Sequence, residues 1–374
     1  MPSFKPTKLW EAPPHTLAKL EIVGRYLYLW FTIVGSNPKN HRLVYIDGFA
    51  GPGRYTNTET SSPLVALQAA KDALEIFPEK LRKTEFCFLF VEKKPEFANS
   101  LKEAISAISW PSQFKWAVEN CSFEEKVGGM LEDFQHEGKQ LAPTFAFIDP
   151  FGATGLPFKV IAKILQHSTC EVLLNLDSDG IGRLVTAQTA EKNQAHLDVL
   201  FGNSSWRTEL NPHLPMPQLS AQILALYKKR LRSTAPYVYA FAMNSREGQL
   251  NYHLVFASQY YLGLEKMKEA MKAVDQTGTC SFSDDTVGQE LLVFDFNAPA
   301  VWAEKMQQTL GGIWRPYSDF RDFALNETPF TNPKAMLRHL DDKRLVEIEA
   351  EANRRKGSFP EEKIGRIIIQ KTLL

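Results

Sequence analysis

The sequence predicts an α/β fold built on a parallel sheet, from the alternation of strand-like and helix-like segments and from acids at the ends of two strands. Apolar runs of strand length alternate with segments of helical periodicity. The runs are 43–46, 86–91, 114–118, 144–148 and 171–176. Strands that alternate with helices imply parallel pairing with right-handed crossovers. A long amphipathic helix over 15–34 precedes the first strand.

The first strand runs into an acid and then a glycine-rich turn. Asp47 is followed by Gly48, Phe49, Gly51 and Gly53 in the order D-x-F-x-G-x-G. Glycines adopt backbone geometries barred to other residues and let a ligand approach the main chain closely. A dinucleotide fingerprint places its acid about 20 residues after the glycines. Here the acid comes first, the order found in S-adenosylmethionine (AdoMet) methyltransferases, although a plain Gly/Pro turn would have the same composition.

A second apolar strand ends in Asp149-Pro150-Phe151. This element is similar to the D/N-P-P-Y/F motif of amino-group methyltransferases, but it is one residue shorter. An exocyclic amine is a poor nucleophile, so an acceptor pair, the Asp149 carboxylate and a carbonyl near Pro150, would hold its N–H groups. Phe151 would stack on a flipped base. The alternative is a strand-end acid that caps the next helix.

Composition limits the class of protein. Lys+Arg and Asp+Glu both number 43, so the formal net charge is +0 and no global field favours nucleic acid or membranes. The cysteines, Cys87, Cys121, Cys170 and Cys280, lack C-x-x-C spacing, which argues against zinc, an iron–sulfur cluster or a disulfide framework, and no metal site is expected. No run reaches the roughly 18 apolar residues of a membrane span. We expect a cytoplasmic protein with free thiols.

The chain is expected to contain two domains. Residues 1–290 would form the methyltransferase-like domain, with an irregular insertion at about 188–217, a possible lid, and a strand hairpin over 237–257. Such a hairpin is a hallmark of the Rossmann-like methyltransferase fold. Residues 291–374 combine helices, strands and a basic turn, which favours a winged-helix-like α+β domain. The turn Arg354-Arg355-Lys356 would contact nucleic-acid phosphates, or be a solvated hairpin tip.

Several of these segments, taken in order, resemble the three-Cys-motif partner protein family, TcmP, a bacterial methyltransferase-like family. They are 15–21, the glycine motif 45–55, 62–67, the acidic motif 147–152, 263–271 and the C-terminal basic turn. The resemblance covers nearly the whole chain. It implies a partner protein with a three-cysteine, radical-AdoMet-like motif. The sequence of residues 45–55 is also similar to the corresponding motif of ribosomal RNA adenine-N6 methyltransferases. This similarity favours RNA or DNA as the substrate.

The resemblance implies roles for the residues around a bound AdoMet. Asp47 would order the glycine turn and meet the amino end of the methionine moiety. Glu92, after the second strand, would accept both ribose hydroxyls. Asn120 would contact the adenine amine. His15 and Lys19, four residues apart on one helix face, would lie near the methionine end.

The sequence therefore favours an AdoMet-dependent methyltransferase that modifies a base amine of RNA or DNA. One alternative is a methyltransferase-fold binding module that partners the radical-AdoMet-like protein without methyl transfer. Another is methylation of a small molecule or a protein.

Overall fold

The structure is a computed structural model that describes residues 11–58, 60–187, 190–245, 249–275, 278–287, 298–350 and 357–371. The chain divides into two compact units. Unit 1 comprises 1–274 and 281–289, and unit 2 comprises 275–280 and 290–374.

Unit 1 is an α/β unit with one large sheet. Its strands are β1 (Arg42–Asp47), β2 (Glu85–Val91), β3 (Phe114–Glu119), β4 (Thr144–Ile148), β5 (Cys170–Leu176), β6 (Tyr237–Asn244), β7 (Leu250–Ser258) and β8 (Ser281–Ser283). They lie in the order β3-β2-β1-β4-β5-β7-β6-β8. The first five pair in parallel, whereas β7 is antiparallel to both β5 and β6. The predicted α/β class, parallel sheet and strand hairpin are confirmed, and the first five strands follow the order 3-2-1-4-5 of a Rossmann sheet.

Helices connect these strands. They are α1 (Pro14–Gly35), α2 (Ser62–Ile76), α3 (Pro78–Leu81), α4 (Pro95–Ser106), α5 (Gly129–His136), α6 (Phe158–Leu165), α7 (Ser178–Thr186), α8 (Ala190–Phe201), α9 (Trp206–Glu209), α10 (Met216–Arg232) and α11 (Tyr261–Val274). A π-helical turn, Glu124–Gly128, leads into α5.

The two faces of the sheet bury different side chains because neighbouring strand residues point to opposite faces. Tyr45 and Phe145 contact an aromatic cluster that includes Tyr26 of α1. Their neighbours Ile46 and Ala146 belong to the aliphatic core shared with α6, α7, α8 and α10. The alternation of large aromatic and small aliphatic residues thus assigns a different helix layer to each face.

The segment 188–217 differs from the irregular insertion that its composition predicts. It contains α8 and α9. Four of its side chains are buried in the same hydrophobic core as Ile46 and Ala146, namely Leu197, Leu200, Phe201 and Trp206. The prediction was wrong because the segment contributes an apolar helix face to the core, which outweighs its turn-rich composition.

Unit 2 has its own core. It contains α12 (Pro299–Leu310), β9 (Arg315–Pro316), α13 (Tyr317–Glu327), α14 (Lys334–Asp342), β10 (Val346–Ala350) and β11 (Ile364–Ile369). The strands form an antiparallel sheet in the order β10-β11-β9. Phe320, Met336, Leu337 and Ile367 are fully buried between the helices and this sheet. The basic turn Arg354-Arg355-Lys356 lies outside the described residues.

Candidate functional site

The candidate site lies at the carboxyl edge of the parallel strands. Asp47 ends β1, Glu92 follows β2, Asp149 follows β4 and Asn175 lies near the end of β5. Since parallel strands end at the same edge of a sheet, side chains 128 positions apart in sequence meet there. The site is therefore a product of strand order.

Asp47 lies beneath the glycine turn. Its side chain is 0% exposed, and its two oxygens accept hydrogen bonds from the Phe49 N–H (3.3 Å) and the Tyr45 hydroxyl (3.2 Å). Burial raises the pKa of Asp47 to about 7, against the lowering effect of these donors and of Ser62. Asp47 orders the turn, as expected, but it lines neither cavity described below. Its contact with the amino end of a bound AdoMet stays a prediction.

The glycines of the turn are required by space and by backbone geometry. A Cβ on Gly48 would lie 2.7 Å from the Phe123 ring. Gly51 and Gly53 have φ of 65° and 84°, in the left-handed region that favours glycine. Side chains at Gly48 and Gly53 are therefore excluded by packing, whereas Gly51 is required by its backbone conformation and has open space beside it.

Glu92 ties this turn to the end of β2. Its carboxylate accepts the Gly51 N–H (2.9 Å) and the Lys94 N–H (2.8 Å) and lines the larger cavity. The Asn120 side chain donates to the carbonyls of Glu92 and Lys93, each at 2.9 Å. Asn120 itself does not line the cavity, whereas Cys121 beside it does. The Asn120 amide thus organises the loop after β2, and the adenine contact expected of it stays a prediction.

Two cavities meet at this edge. The larger, about 530 Å³, has Gly48, Glu92 and Phe123 on its wall. The smaller, about 310 Å³, has the turn Gly51–Gly53 on its wall. Phe49 and Phe151 line both, and Phe151 is 71% exposed. The two cavities thus form one elongated region over the glycine turn.

Asp149 is the charged centre of the smaller cavity. Lys19 Nζ lies 2.5 Å from Asp149 Oδ2, and Asn175 Nδ2 donates to Oδ1 at 2.8 Å. Burial lowers the pKa of Lys19, but the attraction and hydrogen bond of Asp149, together with smaller contributions from Tyr252 and Tyr55, outweigh it and raise that pKa above its ordinary value. The Lys19 ammonium also lies 5.1 Å from the centre of the Tyr252 ring. Asp149 therefore forms an ion pair with a fixed cation, Lys19. The sequence around Asp149 does not predict this pair.

Other predicted residues share this wall. His15 lies between Asp284 (Nδ1 to Oδ2, 2.8 Å) and Asn251 (Nε2 to Nδ2, 3.0 Å) and lines the smaller cavity with Lys19 and Pro150. The structure brings together the residues predicted from three separate segments, 15–19, 47–53 and 149–151. It adds Asn175, Tyr252 and Ser61, which sequence reasoning missed. The available signal for Asn175 was an amide within an otherwise apolar run, 172–176.

The described residues contain neither a metal-binding cluster nor a helix that could span a membrane. These residues include no group of three or more His, Cys, Asp or Glu placed to hold a metal ion. None of the helices in this part of the chain is both long and apolar enough to span a bilayer. Each of the four cysteines is a free thiol.

No protein-family model and no curated protein matches this chain. Solved structures match at low similarity. A proposed methyltransferase from Porphyromonas gingivalis W83 is 10% identical over 57% of this chain and 36% of that chain, with a TM-score of 0.26. The chain thus spans about a third of that protein.

Two longer matches are structures with a bound ligand or cofactor. Cofactor-bound Rv0187 from MTB is 11% identical over 66% of this chain and 91% of that chain, with a TM-score of 0.34. The S-adenosylhomocysteine-bound methyltransferase PaMTH1 of Podospora anserina is 12% identical over 68% and 91%, with a TM-score of 0.28. At these scores the matches identify neither a substrate nor site residues, and the fold assignment stands on the strand order of the chain itself.

Proposed function

We propose that this protein is an AdoMet-dependent methyltransferase that acts on a base amine of RNA or DNA. The observation that carries the proposal is Asp149, fixed by Lys19 and Asn175 in the smaller cavity, close to Phe151 at the junction with the larger one. An acceptor beside that junction is suited to hold the N–H groups of a nucleophile beside a methyl donor.

The residues of the elongated region fit AdoMet. Gly51 has a positive φ and no atom within 4 Å of where its Cβ would lie, so a ligand has room to approach the backbone there. Glu92 presents a carboxylate to the larger cavity, where it can receive ribose hydroxyls. The methionine end would lie along Gly51–Gly53, near His15 and Lys19. AdoMet supplies a methyl group on a positively charged sulfur, which an amine nitrogen takes with release of one proton and of the thioether S-adenosylhomocysteine (AdoHcy).

Asp149 and Phe151 would hold the substrate. Because each Asp149 oxygen accepts one hydrogen bond from the protein, lone pairs remain on the carboxylate for substrate N–H groups. Phe151 presents an exposed ring to both cavities, which is suited to stacking on a base. Binding and orientation would carry most of the rate, since holding two reactants in place removes much of the entropic barrier.

Unit 2 supports a nucleic-acid substrate. Its order of helix, strand, helix, helix, strand and strand, with a three-stranded antiparallel sheet, is that expected for a winged helix. In such a unit α14 would be the recognition helix, and its Lys334 and Arg338 are exposed.

If Arg354, Arg355 and Lys356 contact phosphates, replacing all three with Ala should flatten the slope of log K against log salt by roughly 2–3. Equal slopes for the variant and the wild-type chain would mean that the turn is a solvated hairpin tip without phosphate contacts.

Calorimetry with AdoHcy tests the cofactor assignment. We expect Glu92→Ala to weaken binding by about 10- to 150-fold, the effect of losing a charged hydrogen-bond partner. Glu96→Ala is the matched control, because Glu96 is exposed on α4 and lines neither cavity. No binding by the wild-type chain at millimolar AdoHcy would rule out the cofactor.

Modification mapping of a deletion strain against its parent identifies the substrate. On that substrate, Asp149→Asn should lose methyl transfer while AdoHcy binding persists, since the amide NH₂ repels the N–H groups it must receive. Full turnover by Asp149→Asn would contradict the amine mechanism. AdoHcy binding without transfer to any nucleic-acid, protein or small-molecule fraction would instead favour the binding module that partners a radical-AdoMet-like protein.

A further inference from the structure

Asn175 lies beside Asp149 on the neighbouring strand. The register pairs Ile148 of β4 with Leu174 of β5, which places the next residues, Asp149 and Asn175, side by side at the carboxyl edge. Asn175 is 9% exposed and lines the smaller cavity. An amide buried at the edge where ligands bind needs a role for both of its polar atoms.

The orientation of the Asn175 amide is fixed by its neighbour. A carboxylate only accepts hydrogen bonds, so the NH₂ end of the amide must face Asp149 Oδ1, at 2.8 Å. The carbonyl oxygen Oδ1 then points away from Asp149. Within the described residues, this buried oxygen has no hydrogen-bond partner. A buried acceptor without a donor is costly, which indicates that something else supplies the donor.

We propose that Asn175 Oδ1 accepts a hydrogen bond from the nitrogen that receives the methyl group, while Asp149 accepts the second N–H. This inference rests on the proposed function, because it assigns a second acceptor to the same site. Two adjacent acceptors match a primary amine, which has two N–H donors. A hydroxyl has one donor and would leave one of the two acceptors unpaired, so the pair selects amines over alcohols.

A purely structural role for Asn175 makes a different prediction. In that case the amide only orients Asp149 through Nδ2, and every effect of its loss passes through that carboxylate. The two roles separate in a double-mutant cycle, because a residue that acts only through Asp149 has no further effect once Asp149 is altered.

Sinefungin is a probe that needs no knowledge of the substrate. It has a carbon in place of the methylated sulfur and a primary amine on that carbon, so it presents N–H donors where the methyl group of AdoMet would lie. AdoHcy has no group at that position. The ratio of the two dissociation constants, measured by calorimetry on the full chain, therefore reports the acceptors that face the transferred methyl.

We expect Asn175→Leu and Asn175→Ser to reduce the preference for sinefungin over AdoHcy by about tenfold, with AdoHcy affinity unchanged within about twofold. The reduction should persist in the Asp149→Asn background. Asn193→Leu is the matched control, because Asn193 donates to the Leu184 carbonyl and lines neither cavity. Retained AdoHcy binding shows that each variant is folded.

The outcomes separate the two proposals. No AdoHcy binding by the wild-type chain would overturn the proposed function. AdoHcy binding with an unchanged sinefungin preference in both Asn175 variants would overturn the second acceptor alone. A preference that falls in the wild-type background but not in the Asp149→Asn background would also overturn it, because Asn175 would then act only through Asp149.

Discussion

Asp47 and Asp149 end adjacent strands of one sheet, and each comes directly before a turn with a phenylalanine and a glycine. Their surroundings are nonetheless opposite. Asp47 is fully buried and receives hydrogen bonds from groups close in sequence, Tyr45, Phe49 and Ser62. Asp149 reaches the smaller cavity and is paired with Lys19, 130 residues away.

The difference shows how one sequence pattern gives two roles. An acid with local donors and no cation is an internal support for the turn above it. An acid held by a cation and an amide from two other elements keeps a fixed direction beside open space. The partners that are distant in sequence therefore decide whether such an acid is structural or faces the cavity. Substitutions at Lys19, Asp47 and the two turn glycines test this difference between Asp47 and Asp149.

Lys19→Met should have the largest effect. It leaves Asp149 in a mostly buried position without its cation, which costs about 3–5 kcal/mol of unfolding free energy when one partner of a buried pair is removed. Urea denaturation measures the loss. Lys71→Met, which removes an exposed pair with Glu75, should cost less than about 1 kcal/mol. Equal costs for the two variants would mean that the Lys19–Asp149 pair does not stabilise the fold.

Asp47→Asn should change the pH dependence of stability. Burial raises the pKa of Asp47 from 3.8 to about 7, so the folded chain holds this proton more tightly than the unfolded chain does. Stability from this group is full below pH 4 and is lost as pH rises toward 7, by about 4 kcal/mol. Urea unfolding from pH 4 to 8 should show a smaller decline for Asp47→Asn. Parallel curves for the two proteins would show that Asp47 has the same pKa in both states.

Gly53→Ala and Gly152→Ala compare the two turns directly. Both residues have positive φ, 84° and 77°, which costs an alanine about 1–2 kcal/mol. A Cβ on Gly53 would also lie 3.2 Å from the Leu101 backbone, whereas Gly152 has open space. Thermal unfolding should therefore show a loss about 1 kcal/mol larger for Gly53→Ala. A larger loss for Gly152→Ala would contradict the tight packing of the first turn.

The fold could be predicted from sequence because its signals are local. Apolar runs marked the five parallel strands, and the positions of Asp47, Glu92 and Asp149 at strand ends followed from them. The helical nature of 188–217 could not be predicted in this way, since its turn residues mask a face that becomes apolar core only against α6 and α10.

The sequence predicted many of the residues near the candidate site, but it did not predict the contacts that they make. Strand ends placed Asp149 and Glu92 at the cavities, yet Asn120 donates to backbone carbonyls and Asp47 lies below the surface. Asn175 was not predicted as a site residue, because its contact with Asp149 depends on the register between β4 and β5. Such contacts join elements that are far apart in sequence, and no local pattern encodes them.

The antiparallel direction of β7 has a consequence for how such a site could change over evolution. Because β7 runs against its neighbours, its first residues reach the edge where Asp149 lies, and Asn251 and Tyr252 form part of the smaller cavity. The connection from β6 to β7 begins and ends at that same edge, and hairpin connections tolerate insertions. A change in its length would reshape the wall that faces an incoming acceptor while the parallel strands and their acids stay in place. One hairpin could therefore redirect the protein to a different acceptor without altering the glycine turn.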